Sequence, residues 1–183
     1  LAQISEKALE LKKTLEAQGI AVKYDDRDTY KPGFKFADWE MKGVPIRLSL
    51  GERDLENNSI ELTRRDKERG EEGAKQVFSL DEVSKHIPAI LEEIQNTLFE
   101  KAKTYRDSHI TKVDSYEEFK EVLDGKGGFV SAHWDGTEES EEKIKQETKA
   151  TIRCIPLNAE EEDGVGIYSG QPSKRRVLFA KAY

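Results

Sequence analysis

Between Gly43 and Gly51, Val44, Ile46, Leu48 and Leu50 alternate strictly, with Arg47 and Ser49 falling between them. A period of two sends alternate side chains to opposite faces of an extended chain, so this stretch reads as a strand with one apolar and one polar face. Such a strand needs apolar cover, and its neighbours offer it. Ile4, Ala8, Leu11 and Leu15 form one stripe of a helix over residues 3–18, stopped by Gly19. Ile20, Val22 and Tyr24 alternate as a short strand. After the charge cluster Asp25-Asp26-Arg27-Asp28, Pro32-Gly33 open a short helix carrying Phe36 and Trp39, closed by Gly43. Asn57-Asn58 mark a turn before a strand at Ile60–Thr63, and Ala74–Ser79 add an edge strand. Helices and strands in this order predict an α/β domain, expected to carry a mixed sheet.

Ser79-x-x-Glu82 has the form of a capping box for a short helix. Pro88 is expected in the first turn of a second helix, with Ile90, Leu91, Ile94, Leu98, Ala102 and Tyr105 on one face, long enough to join two domains. A boundary near residue 110 is expected, giving domains 1–110 and 111–183. The second reads as a small α+β domain. Ser115-x-x-Glu118 caps a helix with Tyr116, Phe119, Val122 and Leu123 inward, ended at Gly125, Gly127 and Gly128. A strand at Phe129–Trp134, a charged helix at Glu138–Lys149 and a strand at Thr151–Ile155 follow. Ile167-Tyr168 and Arg176–Lys181 are expected to form a closing antiparallel pair, and the acidic run Glu160–Asp163 a solvated loop.

Composition narrows the class. Charged residues make up 37% of the 183, the net charge is −7, and no run approaches the ~18 apolar residues of a membrane span. One cysteine, Cys154, excludes an intrachain disulfide framework and a thiolate-rich zinc site, and fits a reducing, cytoplasmic setting. The charge disfavours a general polyanion binder while leaving room for a local site. No Gly-x-x-x-x-Gly-Lys loop, His-Glu-x-x-His or nucleophile elbow occurs. His133 and Asp135 share one strand face but lack a third partner, which favours a structural role.

One segment carries an unusual mixture. From Asp25 to Glu56 aromatics are interleaved with fixed charges, and residues 31–70 hold nine basic and eight acidic groups. Unpaired RNA bases are read by aromatic faces that stack on them and charged groups that meet their edges. A carboxylate suits the donors on guanine's Watson–Crick edge, and an arginine suits O6 and N7. Glu40, Arg47 and Arg53 supply those groups, and Phe36 a stacking platform. On the residues alone, an amphipathic helix with buried rings and solvated charges is the simpler description.

Residues 19–56 resemble the anticodon-binding domain of prolyl-tRNA synthetases of the archaeal/eukaryotic-like type. The resemblance continues through Thr104-Tyr105-Arg106-Asp107, Val113–Phe119, Thr148–Pro156 and Val177–Tyr183, nearly the whole chain in the family's order. It implies recognition of the second and third guanines of the proline anticodon by Phe36, Glu40, Arg47 and Arg53, the last being lysine in many relatives. It implies as well that the C-terminal domain corresponds to a unit that binds zinc through four cysteines in many members. Those positions fall on Asp135, Ser140, Gly166 and Ser169, so no zinc is expected here. Cys154 falls outside that set and is expected in the core, with Trp134, Tyr168 and Phe179 as compensating packing.

The resemblance implies a C-terminal fragment of a proline–tRNA ligase, without a catalytic centre of its own and without cofactors. ATP and Mg would act in a class II catalytic domain elsewhere, proline tRNA and that domain would be the partners, and the whole enzyme would be a homodimer. A first strand before the helix at residues 3–18 is expected to be missing, and Tyr183 to be an interdomain contact. A repurposed fold that docks a protein without RNA is the alternative.

Overall fold

The computed structural model describes residues 2–181, which form two units, the first ending at Lys101 and the second beginning at Ala102. Both are mixtures of helix and sheet, the first expected as α/β with a mixed sheet and the second as α+β; among the described residues the first unit's sheet is antiparallel and the mixed one lies in the second unit.

The first unit runs α1 (Ala2–Ala17), α2 (Pro32–Met41), β1 (Ile46–Ser49), α3 (Glu52–Glu56), β2 (Ser59–Arg64), β3 (Lys75–Ser79) and α4 (Val83–Ser108) as far as Lys101. The three strands form an antiparallel sheet in the order β1-β2-β3. Alternation decides its faces. Ile46, Leu48, Ile60, Leu62 and Phe78 share one core with Leu15 of α1 and with Val83, Ile87, Ile90 and Ile94 of α4. Burying each such aliphatic side chain contributes roughly 1.5–3 kcal/mol, which makes a one-residue slip of register costly. The opposite face therefore carries Arg47, Thr63 and Lys75 in one row, directly opposite one another across all three strands.

Three expectations change in this unit. Ile20, Val22 and Tyr24 form no ladder: Ile20 and Val22 pack on the core, but no strand among the described residues pairs with them. Between the strand end at Gly51 and the turn expected at Asn57-Asn58 the chain makes the short helix α3, for which no element was expected; Gly51 N–H is held by Asp54 Oδ2 at 2.8 Å. Pro88 lies inside a single 26-residue helix rather than opening a second one. An interior proline costs about 3 kcal/mol, yet the apolar row Val83, Ile87, Ile90 and Ile94 is continuous only if the helix is.

The second unit runs β4 (Ile110–Lys112), α5 (Tyr116–Asp124), β5 (Phe129–His133), α6 (Glu138–Thr148), β6 (Ala150–Cys154), β7 (Gly164–Val165), β8 (Pro172–Ser173) and β9 (Arg176–Lys181). Its main sheet is mixed, in the order β4-β5-β9-β6, with β4 and β5 parallel and β9 antiparallel to both neighbours. Ser115 caps α5 by accepting from Glu118 N–H, as its motif predicts. Phe119 meets Phe179 edge-on at 5.1 Å in a core that Trp134 and Tyr168 flank.

Here too the sequence reading needs correction. β9 pairs with β5 and β6 rather than with Ile167-Tyr168, and the small pair is β7 with β8. Cys154 is exposed, not in the core, because an irregularity in the β6–β9 register between Ile152 and Cys154 breaks the alternation there. The acidic run is partly engaged: Glu162 accepts from Lys112 Nζ at 3.1 Å and Arg176 Nε at 3.2 Å, which hold its carboxyl down at about 2.

Candidate nucleic-acid interface

Helix α2 owes its place to the charge cluster before it. Pro32 begins the helix after an extended Lys31, and Phe36, Trp39 and Glu40 then recur at helical spacing on one side. Asp25 anchors that helix. Its carboxylate accepts from Arg27 Nε at 2.8 Å and Nη2 at 2.7 Å, and from the Trp39 indole at 2.8 Å. Arg27 reaches on to Asp38 at 2.9 Å. The Arg27 guanidinium, aided by Trp39, keeps the Asp25 carboxyl well below the usual carboxylate range despite its desolvation. Ionised and held by these donors, Asp25 ties the loop to α2 and thereby sets where Phe36 and Glu40 project.

Arg47 meets that helix from the sheet. Its Nη1 donates to Glu40 Oε1 at 2.7 Å, its Nη2 to Thr63 Oγ1 at 3.2 Å, and its guanidinium lies 3.9 Å from the centre of the Phe36 ring. The Arg47 side chain is only 16% exposed, whereas Glu40 is 64% exposed. Arg47 Nε is buried without a hydrogen-bond partner, an uncommon condition for a buried polar atom. Phe36, Glu40 and Arg47 thus line one cleft of about 360 Å³, joined by Trp39, Thr63 and the β2–β3 connection.

Arg53 stands apart. It sits exposed on α3 and does not line the cleft. The sequence reading missed Thr63, Arg65, Arg69 and Lys75, which do line it. Thr63 and Lys75 were legible as strand residues, but their place beside Arg47 depends on register, which local periodicity does not report. Tyr183, expected between domains, lies outside the described residues.

In the second unit, Asp135, Ser140, Gly166 and Ser169 converge. Asp135 Oδ1 accepts from Ser140 Oγ at 2.6 Å, Thr137 N at 3.0 Å and Thr137 Oγ1 at 2.9 Å, and the Ser169 hydroxyl bonds to the same carboxylate. A β-carbon on Gly166 would sit 3.1 Å from both Asp135 N and Ser169 Oγ. Burial pushes the Asp135 carboxyl up, but the hydroxyls of Ser140 and Ser169 and the donors of Thr137 outweigh it and hold it at about 2. One carboxylate and two hydroxyls already bonded to one another do not fit the thiolate or imidazole donors of a structural zinc site. His133 turns away from this group, its Nδ1 3.1 Å from Ser173 Oγ.

Residues 2–90 match the family model described as anticodon binding domain, and residues 116–183 match that described as prolyl-tRNA synthetase, C-terminal. Among curated relatives, the proline–tRNA ligases of Flavobacterium johnsoniae and Porphyromonas gingivalis are 57% and 54% identical over the whole of this chain. The chain spans 36% of the length of each. A solved prolyl-tRNA synthetase from Cryptosporidium parvum, complexed with L-proline and AMP, superposes on 98% of the chain with a TM-score of 0.84 at 33% identity, and the chain covers 37% of it.

Proposed function

From the premise that the chain corresponds to a prolyl-tRNA synthetase C-terminal region with an anticodon-binding domain, we propose that it reads the two guanines of the proline anticodon. The observation that carries this reading is the Glu40–Arg47 pair set over Phe36 in a cleft. One Glu40 oxygen is committed to Arg47, and the exposed carboxylate offers the other to the N1–H and N2–H of guanine. The Arg47 guanidinium lies over the face of the Phe36 ring, and an unpaired base stacks on that pair from the cleft side. Arg53, exposed on α3, meets the neighbouring guanine; being arginine rather than lysine, it does so with a bidentate fork.

The rest of the assignment follows from the same premise. The ATP- and Mg-dependent activation of proline and its transfer to tRNA belong to the remaining portion of the ligase, a class II catalytic domain that acts as a homodimer in the cytoplasm. Among the described residues no helix is long and apolar enough to cross a membrane. The archaeal/eukaryotic-like type belongs to the same proposal and rests on the sequence resemblance, the curated relatives being from Flavobacterium johnsoniae and Porphyromonas gingivalis and the solved structure from Cryptosporidium parvum. The Asp135 donor set supports a metal-free C-terminal unit.

The test is binding of an RNA stem-loop bearing the proline anticodon, compared with one whose two guanines are replaced by adenines. Arg47→Ala is expected to weaken binding of the first roughly ten- to a hundredfold, since it removes the partner that orients Glu40 and part of a stacking surface of the kind worth ~1–3 kcal/mol per base. Equal affinity of the unaltered chain for both loops overturns the reading.

A further inference from the structure

The cleft is basic although the chain is acidic. Its lining holds Arg47, Arg64, Arg65, Lys67, Arg69 and Lys75 against only Glu40 and Glu68. Most of these cations are spent within the protein. Arg64 is buried and paired with Asp66 at 2.9 Å and Glu93 at 2.7 Å. Arg47 is paired with Glu40, Lys75 with Glu61 at 3.1 Å, and Lys67 donates to the Glu72 carbonyl at 2.6 Å. Arg65 and Arg69 remain: both are exposed, and neither has a carboxylate partner among the described residues.

The placement of Arg65 is fixed by what flanks it, and Arg69 lines the same cleft from the β2–β3 connection. Arg64 closes β2 on the core side, so alternation turns Arg65 to the opposite face, the one that carries Arg47. The buried Arg64–Asp66 pair, with Asp66 wholly covered, pins the start of the β2–β3 connection. Arg65 N–H donates to Pro45 O at 3.0 Å, and its guanidinium folds over Gly43, where a β-carbon would sit 3.4 Å away. Gly43, at φ +76, leaves the space into which that side chain folds at the C-terminal end of α2, where a cation is favoured.

We propose that Arg65 and Arg69 hold the phosphates of the RNA strand next to the bases read at Glu40 and Arg47, as a sequence-independent clamp on the β2–β3 connection. This rests on the reading above that the cleft takes an anticodon loop. Base-edge groups decide which loop binds; the two arginines decide how tightly any loop is held and how strongly salt loosens it. Each phosphate contact to a single strand contributes ~0.7 to the slope of log affinity against log salt.

The experiment measures fluorescence anisotropy of the two labelled stem-loops, guanine-bearing and adenine-replaced, against the 183-residue chain over a salt series. The Arg65→Gln/Arg69→Gln variant is expected to bind both RNAs about three- to tenfold more weakly at low salt, by the same factor, with a slope shallower by roughly 1.4. The Arg65→Lys/Arg69→Lys variant keeps the charge and restores the slope, and circular dichroism establishes that both variants fold. An unchanged slope in the glutamine variant, or a loss confined to the guanine-bearing RNA, overturns the clamp. Failure of the base-reading proposal looks different: the unaltered chain then binds both loops equally while the arginine slope remains. If the unaltered chain binds neither RNA, both proposals fall.

Discussion

Two carboxylates organise the two units, and they are treated in opposite ways. Asp135 takes three hydrogen bonds on Oδ1 from Thr137 and Ser140 and is held down further by the Ser169 hydroxyl, all within its own unit. Glu40 has one oxygen on Arg47, stands 64% exposed, and faces an arginine whose Nε is buried without a partner. A closed knot of satisfied groups stabilises a fold and leaves nothing for a ligand; a half-satisfied pair on a cleft wall is arranged for one. The second unit's knot is thus structural chemistry, whereas the first unit's pair has the open geometry that the proposed base reading requires.

The largest effect comes from converting the knot into a metal site. The four positions already touch one another, so the combined variant Asp135→Cys, Ser140→Cys, Gly166→Cys and Ser169→Cys is expected to gain one tightly held zinc per chain, with affinity approaching the ~10–16 kcal/mol of structural zinc peptides. Metal analysis after dialysis reads this directly. A four-cysteine chain that folds yet retains no zinc breaks the claim that the positions form one coordination-sized cluster.

How far these two sites were legible in the sequence follows the range of the forces involved. The face shared by Phe36, Trp39 and Glu40 is a matter of helical spacing, and the side on which Arg47 lies is a matter of strand alternation; both are local. That Arg47 sits opposite Thr63 and Lys75 is set by pairing across α3 and across the β2–β3 connection, which no local period encodes. Arg65 and Arg69 lie where the strand gives way to an irregular, charge-rich stretch, and charges there follow no pattern that marks which are paired. Pro88 shows the reverse: a strong local rule yields to a continuous apolar face packed on a shared core. Ile20 to Tyr24 alternate as a strand should, but a ladder needs a neighbour as well as a pattern.

The next effect concerns the knot alone and depends on pH. The folded Asp135 carboxyl titrates at about 2, below the ~3.9 of an unfolded chain, so its contribution is fully present above the unfolded value and disappears as pH falls through the folded one. After allowance for partial solvent screening it amounts to about 1–2 kcal/mol. Asp135→Asn is therefore expected to lower the stability of the second unit at pH 6 by about that much, with the gap between the two proteins closing toward pH 2. Urea unfolding of both at each pH isolates the difference from the other titrating carboxyls. A gap that stays constant across that range shows that Asp135 acts by shape rather than by charge.

Glu40→Gln is the smallest perturbation and the sharpest contrast with Asp135→Asn. Glu40 is mostly exposed, and its single ion pair with Arg47 is of the kind worth ~0–1 kcal/mol, so unfolding of the first unit is expected to shift by less than about 0.5 kcal/mol. The amide keeps the shape and can still accept one hydrogen bond, but it replaces the second acceptor with a donor that opposes the donors of guanine. The preference for the guanine-bearing stem-loop over its adenine-replaced partner is accordingly expected to fall roughly five- to a hundredfold, while affinity for the replaced loop changes little. A conservative change that costs stability at Asp135 and discrimination at Glu40 keeps the two carboxylates in separate roles. Destabilisation by Glu40→Gln with discrimination intact would place Glu40 beside Asp135, as a residue that holds the fold.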